Sequence, residues 1–358
     1  MLRDATALAA EGINVLIVQP TIDLNRQTRR ALGDTLAFVT VTDDADKGPV
    51  PELRNRITDS TITEPQIVLS THAALERIGL VAGADKWALY VDEEMTALAY
   101  HSYDVPKTHS LITRHLSHVQ DGTHESVIQP RDPKAFRAFL TEAANDTLLR
   151  PLDSLMQMLC SAVHTTFVPA DQFENLISPC GSEGKLVAAS ELSPLLFSQF
   201  ERVVFLAADF EETIFYKLMR RHADFTPYEP IQSKLRAPRD SFDEVDIAYL
   251  LDERRWSMKF RRETYKHATK SACASLLVDL DGERLAFVDN EEFKARYYLN
   301  GASEMPFNPH GLNNFSDIDN VASLTSIIAA PPHREFLIRR GLAEEEVFIG
   351  YTAMPAWQ

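Results

Sequence analysis

Three consecutive acidic residues follow one of the apolar runs of this sequence. Asp92, Glu93 and Glu94 come directly after residues 87–91, whose composition is typical of a buried strand. A carboxylate in this position can hold Mg²⁺, usually through water, because that ion prefers hard oxygen ligands. A second carboxylate can orient an attacking water and accept its proton. Asp92 and Glu93 are therefore candidates for metal-dependent phosphoryl chemistry, and a solvated acidic loop is the alternative interpretation.

The elements that would position these carboxylates alternate in the N-terminal part of the chain. Short apolar runs, separated by segments with helical periodicity, occupy residues 13–18, 36–41, 66–70 and 87–91. This alternation predicts an α/β fold with a parallel sheet and helices on both faces. Ligands of such sheets bind beyond the carboxyl ends of the strands. Because Thr21, Thr71 and Asp92 each follow a different strand, we expect them to lie together at that edge.

The alternation stops after residue 100 and resumes with the apolar run 203–207. We interpret residues of about 100–200 as a helical insertion within a first domain of residues 1–225. A linker rich in proline and charge then begins the second domain, residues 226–358. Two strands are predicted in the second domain, on either side of the turn dipeptide Asp281-Gly282, at 274–280 and 285–288.

Composition excludes several classes of protein. The 358 residues include 36 Lys and Arg against 52 Asp and Glu, a net charge of −16, and 45% are hydrophobic, so the chain can bury a core. No stretch approaches the roughly 18 consecutive apolar residues of a membrane span, and we expect no membrane partner. The three cysteines, Cys160, Cys180 and Cys273, are too widely spaced for a disulfide framework or a metal site. With no readable signal peptide, this pattern predicts a cytoplasmic protein.

Basic clusters and a group of histidines are weaker candidates for function. Lys and Arg concentrate at 26–30, 217–221 and 254–262, which we interpret as solvated helix faces, although a local nucleic-acid track is compatible with the net charge. The five histidines between residues 101 and 124 have neither an H-E-x-x-H pattern nor a nearby cysteine. A solvated His-rich loop is therefore favoured over a zinc site.

The acidic segment and its surroundings resemble the superfamily 2 DExx-box helicases, DEAD/DEAH-like, in a divergent phage- or plasmid-type branch. Val91-Asp92-Glu93-Glu94-Met95 is similar to the DExx box, the Walker B element of the first RecA-like domain. Pro20-Thr21, followed by Leu24 and Gln27, looks like motif Ia. Val68-Leu69-Ser70-Thr71-His72 is similar to motif Ib or Ic. The run 203–210 stands where motif III belongs, with Ala207 and Ala208 in place of its hydroxyl residues.

A fifth match lies in the C-terminal part, where residues 310–315 and 320–322 resemble motif V. In this motif a Gly-rich turn faces both the nucleotide and the nucleic acid. Gly311 permits close approach of the backbone, and Asn313 supplies a neutral donor and acceptor. A surface turn is the alternative, because Gly and Asn together mark turns in many proteins.

This resemblance implies two RecA-like parallel-sheet domains, the first with the insertion, that couple ATP hydrolysis to strand separation or translocation on DNA or RNA. Asp92 would hold Mg²⁺ through water, and Glu93 would position the attacking water. Gly311 and Asn313 would close the cleft from the second domain. The residues that would contact the nucleic-acid backbone are Pro20, Thr21, Gln27, Thr71 and His72.

The sequence lacks a G-x-x-x-x-G-K-[ST] string, with which P-loop helicases wrap phosphates in backbone N–H groups. Residues 1–12 look like the helix that follows a P-loop, and the chain ends at residues 356–358, where the Gln-x-x-Arg helix of motif VI would begin. We therefore expect both RecA-like domains to be incomplete and this chain alone to bind ATP weakly without hydrolysing it. The alternative is a non-catalytic helicase-like relic that binds nucleic acid or protein, with the 100–200 insertion as the element that contacts a protein partner.

Overall fold

Three β-sheets organise the residues that the computed structural model describes. These residues are 1–33, 38–40, 48–61, 64–105, 110–122, 124–143, 152–178, 184–232, 257–264, 267–290, 292–293, 295–305, 315, 317–325 and 331–353. The chain divides into two compact units, Met1–Pro230 and Ile231–Gln358. Within the described ranges, no helix combines the length and the apolar character that crossing a membrane requires.

Sheet A is a parallel five-stranded sheet in the first unit, with the strand order β10-β4-β1-β3-β2. Its strands are β1 (Asn14–Gln19), β2 (Phe38–Thr40), β3 (Ile67–Thr71), β4 (Trp87–Asp92) and β10 (Arg202–Leu206). Each of the predicted runs that we assigned to this sheet is confirmed as a strand. The side chains of β1, β3 and β4 are almost entirely buried, as expected for a parallel sheet that is covered on both faces.

Helices flank sheet A and return the chain between its parallel strands. They are α1 (Leu2–Ala10), α2 (Ile22–Leu32), α3 (Pro49–Thr58), α4 (His72–Ile78), α9 (Leu195–Ser198) and α10 (Ile214–Met219). The α2 and α4 helices both begin directly beyond a strand end, and a threonine caps each of them. The short helix α11 (Glu229–Gln232) spans the division between the two units.

Gly83 precedes β4 in a left-handed conformation, with φ of +88°, and a Cβ atom there would lie 2.8 Å from the backbone oxygen of Ile57. We expect Gly83→Ala to lower the free energy of unfolding by about 2–4 kcal/mol, because it combines backbone strain with a clash that no side chain can relieve. Gly12 also has a positive φ, of +96°, but a Cβ atom at this residue would have no neighbouring atom within 4 Å. The control Gly12→Ala should therefore cost only about 1 kcal/mol in the same urea titration. Equal losses would contradict the role of the clash.

The prediction of a helical insertion is wrong for the described residues between 98 and 192. Their strands form sheet B, an antiparallel sheet in the order β5-β9-β8-β7-β6. Its strands are β5 (Leu98–Val105), β6 (Leu116–Asp121), β7 (Glu125–Pro130), β8 (His164–Pro169) and β9 (Gly184–Leu192). The helices of this segment are α5 (Ser110–Thr113), α6 (Pro133–Ala143), α7 (Asp153–Leu159) and α8 (Ala170–Ile177). The α6 and α7 helices agree with the predicted helical character of the insertion. The strands were not predicted, because Thr, His and Ser interrupt the alternation of their apolar residues.

Two histidines of the insertion, His101 and His118, lie on strands of sheet B. The prediction of a solvated His-rich loop is wrong for these two residues. His101 on β5 is buried, with 4% of its surface exposed. The ring of His115 stacks on Phe139 with centroids 4.9 Å apart, and His118 on β6 meets the edge of Phe173. Among the described residues, no group of three or more His, Cys, Asp or Glu side chains could hold a metal ion.

The second unit contains sheet C, a parallel three-stranded sheet in the order β12-β11-β13. Its strands are β11 (Leu285–Val288), β12 (Ser303–Glu304) and β13 (Asn320–Ser323). The described helices of the second unit are α12 (Met258–Glu263), α13 (His267–Asp279), α14 (Pro331–Arg339) and α15 (Glu344–Phe348). A π-helical turn follows α15. The fold is therefore α/β, and the described residues form two parallel sheets and one antiparallel sheet.

One predicted strand of the second unit is wrong. Residues 274–279 belong to α13, and Asp281 and Gly282 follow the helix with φ of +41° and +89°. The sequence pattern was ambiguous because a left-handed Gly ends helices as commonly as Asp-Gly forms hairpin turns. The predicted strand 285–288 is confirmed as β11.

Candidate functional site at the carboxyl edge of sheet A

The carboxyl ends of four adjacent strands meet at one edge of sheet A. The parallel register pairs Gln19 of β1 with Thr71 of β3, and Leu206 of β10 with Asp92 of β4. The Gln19 side chain completes the row, because its Nε2 donates a hydrogen bond of 2.7 Å to Oδ2 of Asp92. The stretches that resemble motifs III, DExx, Ia and Ib therefore lie on neighbouring strands, in that order, and turn at the same edge.

Asp92 is a partly buried carboxylate at the end of β4. Burial raises its pKa above the ordinary value, while the hydrogen bond from the Gln19 amide and the charge of the Met1 α-amino group oppose that rise. The influence of the amino group indicates that the start of α1 lies near Asp92. The carboxylate of Asp92 is a hard oxygen ligand of the kind that Mg²⁺ prefers, either directly or through water.

Glu93 has an unusual backbone conformation at this edge. Its φ is +68°, a conformation that costs a residue with a Cβ atom about 1–3 kcal/mol. Such a conformation persists only where the surrounding structure enforces it. The enforcing contact is a hydrogen bond of 2.7 Å from the Glu93 backbone N–H to the carbonyl oxygen of Leu206. Burial raises the pKa of Glu93, and the neighbouring charge of Asp92 raises it further. The side chains of Asp92 and Glu93 thus bring two carboxylates, the kind of hard oxygen ligand that Mg²⁺ prefers, to the end of one strand.

Thr21 and Thr71 use their side chains as N-caps. The Thr21 hydroxyl oxygen accepts a hydrogen bond of 3.2 Å from the backbone N–H of Leu24, and the Thr71 hydroxyl oxygen accepts one of 3.2 Å from Ala74. Both threonines are half-buried. A hydroxyl group that accepts in this way retains its own proton. Each threonine can therefore hold its helix and still donate a hydrogen bond to a phosphate oxygen beyond the edge.

His72 turns its ring into the edge of the sheet. Its Nε2 lies 2.9 Å from the backbone oxygen of Asp92, and the backbone of Val18 is also close enough to affect its titration. Burial lowers the pKa of His72 to about 4, so the ring is neutral at pH 7. In the neutral ring the nitrogen that faces the Asp92 carbonyl must carry the proton. His72 thus braces the end of β4 through the backbone of Asp92.

For the other predicted site residues, the structure shows no hydrogen bond to the acidic segment among the described residues. Pro20 follows β1 directly, and Gln27 is half-buried on α2. Gly311 and Asn313 lie outside the described residues. Ala207 and Ala208 follow β10 and offer no hydroxyl group to the acidic segment.

Two residues that sequence reasoning did not single out complete the site. Gln19 is 1% exposed and fixes Asp92, and a polar residue at the end of an otherwise apolar strand was the available signal. Glu94 accepts a hydrogen bond of 3.2 Å from the backbone N–H of Phe215, which ties the acidic segment to the start of α10. Burial raises the pKa of Glu94 to about 7. No sequence pattern predicted this contact, because 121 positions separate its partners.

Comparison with known proteins leaves the family open. No protein-family model matches the chain, and no curated protein matches it.

Proposed function

We propose that this chain is the core portion of an ATP-dependent nucleic-acid helicase or translocase, with its working edge at the carboxyl ends of β1, β3 and β4. The observation that carries the proposal is the single row formed by Thr71, Gln19 and Asp92, joined by the hydrogen bond of 2.7 Å between Gln19 and Asp92. Four degenerate sequence matches would be weak if they were scattered over the fold. Their convergence at one edge of one sheet supports a common function.

The residues of this edge suit separate parts of the proposed reaction. Asp92 is the ligand for Mg²⁺, which when bound neutralises phosphate charge. Glu93, whose raised pKa brings it closer to neutral pH, orients a water molecule and accepts its proton. Thr21 and Thr71 offer hydroxyl protons to the nucleic-acid backbone, next to the positive ends of α2 and α4. Gln19 holds the side chain of Asp92, and His72 holds its backbone oxygen.

The first test concerns ATP binding by this chain, whose sequence lacks the G-x-x-x-x-G-K-[ST] string of a P-loop. We expect calorimetric titration of the purified chain with ATP and Mg²⁺ to give no binding in the micromolar range, because backbone N–H groups of a P-loop supply most of the phosphate contacts. Micromolar binding would contradict this expectation and would require a different phosphate site. In a version that includes a P-loop, Glu93→Gln should abolish ATP hydrolysis, and retained turnover would refute the assignment of Glu93.

The nucleic-acid part is tested by fluorescence anisotropy with labelled single-stranded DNA and RNA. We expect binding that weakens with added salt, because phosphate contacts release counterions. A chain that binds neither strand at low salt would contradict the proposal.

A non-catalytic helicase-like relic is the second candidate, and one observation favours it. The segment after β10 carries Ala207 and Ala208 where a helicase would use hydroxyl groups. Glu94 of the acidic segment accepts a hydrogen bond from the backbone N–H of Phe215 and not from such a hydroxyl group. Reading the coding DNA upstream of Met1 separates the two candidates. An in-frame G-x-x-x-x-G-K-[ST] there supports the motor, whereas its absence supports the relic.

A further inference from the structure

The helix α4 connects two regions that are far apart along the chain. Its first residue, His72, contacts the backbone of Asp92 at 2.9 Å. One turn later, Glu76 faces the inserted sheet B, where its Oε2 lies 3.9 Å from Nε2 of His164 on β8. Residues four positions apart share one face of a helix, so both contacts are made by the same side of α4.

The contact between Glu76 and His164 is almost entirely enclosed. The exposed fraction is 5% for the His164 side chain and 19% for that of Glu76. On its other side, the His164 Nδ1 lies 2.9 Å from the hydroxyl of Ser161, whose oxygen also accepts the Val163 N–H. The Ser161 hydroxyl can donate its own proton to Nδ1. In that tautomer the ring proton of His164 lies on Nε2, the nitrogen nearest to Glu76.

The charged and titratable groups around this contact are few among the described residues. Arg77, the next residue of α4, is the charge that acts on Glu76, and His101 of β5 acts on His164. Arg54 of α3 donates to the backbone oxygen of Ile78 and fixes the C-terminal end of α4. The helix is therefore held at both ends, and its central acidic residue is directed at sheet B.

We propose that α4 is a positioning element through which the inserted sheet B sets the geometry of the Asp92–Glu93 segment, with His72 and Glu76 as its positioning residues. A shift of β8 moves Glu76, the rigid turn of helix carries the shift to His72, and the His72 ring carries it to the backbone of Asp92. This role deepens the proposed function and rests on it, since it makes the insertion a regulator of the working edge. It concerns the geometry of the segment, so its test does not depend on nucleic-acid or ATP binding.

Hydrogen exchange of the intact chain, followed by mass spectrometry on peptides that cover residues 88–95, tests the proposal. We expect His164→Ala to accelerate exchange of these amides about two- to tenfold, because coupled residues interact over this range. The matched control is Phe136→Leu, which changes the buried core of sheet B at a residue of α6 and alters neither Glu76 nor His164. An equal acceleration in Phe136→Leu, or none in His164→Ala, would overturn the proposal.

The pH dependence of the same exchange distinguishes positioning from packing. Burial raises the pKa of Glu76 to about 7, so the protonated form stabilises the folded state and this contribution is lost as the pH rises through 7. Because the pKa of a free glutamate lies near 4.5, this loss develops between about pH 5 and pH 7, and protection of residues 88–95, corrected for intrinsic exchange rates, should fall over that range. Glu76→Gln mimics the protonated form, and at about pH 7 it should show a large part of the protection that the wild type has at about pH 5.

Glu94, whose pKa is also raised to about 7, is the alternative source of such a change. Glu94→Gln is therefore measured in parallel, and under the proposal the step remains in this variant and shrinks in Glu76→Gln. A step that is unchanged in Glu76→Gln would overturn the proposal, whatever the chain is found to bind.

Discussion

Replacing Arg261 with methionine is expected to destabilise the second unit by about 3–5 kcal/mol, the cost of leaving a buried carboxylate without its partner. The side chain of Arg261 is 0% exposed and that of Asp289 is 3% exposed, and Nη2 of Arg261 lies 2.7 Å from Oδ1 of Asp289. The guanidinium also donates to the backbone oxygen of Leu324 at 2.6 Å and lies 3.7 Å from the ring centroid of Phe293. One side chain thus joins the carboxyl ends of β11 and β13.

The neighbouring residue of the same helix provides a matched control. Arg262 forms a bidentate pair with Glu292, but its side chain is 61% exposed. Arg262→Met should therefore cost less than about 1 kcal/mol. Urea unfolding followed by hydrogen exchange in peptides of residues 285–324 assigns each loss to the second unit. Equal losses in the two variants would contradict the importance of the buried pair.

A double substitution tests the cause of the loss. Asp289 also accepts the backbone N–H groups of Asn290 at 2.8 Å and Ala295 at 3.0 Å, and asparagine retains one oxygen for such bonds. Arg261→Met with Asp289→Asn should cost less than the sum of the single changes, because no unpaired charge is then buried. Strict additivity would mean that packing, and not charge, explains the loss.

Arg261 also marks a limit of the sequence analysis. It belongs to a charged stretch that we interpreted as a solvated helix face, and local charge density gave no sign of its burial. Its partners, Asp289 and Leu324, are 28 and 63 positions away along the chain. Burial of an arginine depends on such distant partners, which no local pattern contains. Lys217 is a similar case, since it is 7% exposed and paired with Glu212 at 3.0 Å.

The strands of sheet A were predictable because parallel strands buried on both faces read as continuous apolar runs. The strands of sheet B were not predictable, because they mix His, Thr and Ser with apolar residues. One local signal was present: Asp121-Gly122 joins β6 to β7, and Gly122 has φ of +76°. A short Gly-containing turn between β-rich runs is typical of a hairpin.

The candidate site was predictable in position but not in detail. Strand order along the sequence predicted that Thr71 and Asp92 reach one edge. The partner of Asp92 was hidden because Gln19 is 73 positions away. The contact of His72 Nε2 with the backbone of Asp92 was hidden as well, because the packing of α4 against the sheet determines the direction of the ring.

Charge introduced at the two threonine caps of this edge is expected to weaken nucleic-acid binding strongly. Aspartate caps a helix as well as threonine does, so Thr21→Asp and Thr71→Asp should preserve α2 and α4. Each new carboxylate would face phosphate at hydrogen-bonding distance, and repulsion of about 1 kcal/mol or more per contact predicts a loss of roughly fivefold to tenfold for each substitution. The double variant should then bind roughly 25-fold to 100-fold more weakly, at constant salt.

The matched control places the same charge at another helix cap. Ser257 caps α12 in the second unit, where its hydroxyl oxygen accepts the Phe260 N–H at 3.1 Å. Ser257→Asp changes the net charge of the chain as much as either threonine variant does, but it leaves sheet A untouched. It should bind within about twofold of the wild type, because one unit of net charge, added outside the proposed contacts with phosphate, is largely screened by salt. Circular dichroism checks that each variant retains its helices.

The affinity of the Thr21→Asp, Thr71→Asp double variant for labelled single-stranded DNA and RNA, compared with that of the wild type by fluorescence anisotropy, tests the central claim most directly. If the carboxyl edge of sheet A is the nucleic-acid site, the wild type binds, the double variant binds roughly 25-fold to 100-fold more weakly, and Ser257→Asp retains its affinity. Undiminished binding by a folded double variant, or no binding by the wild type, would contradict the claim.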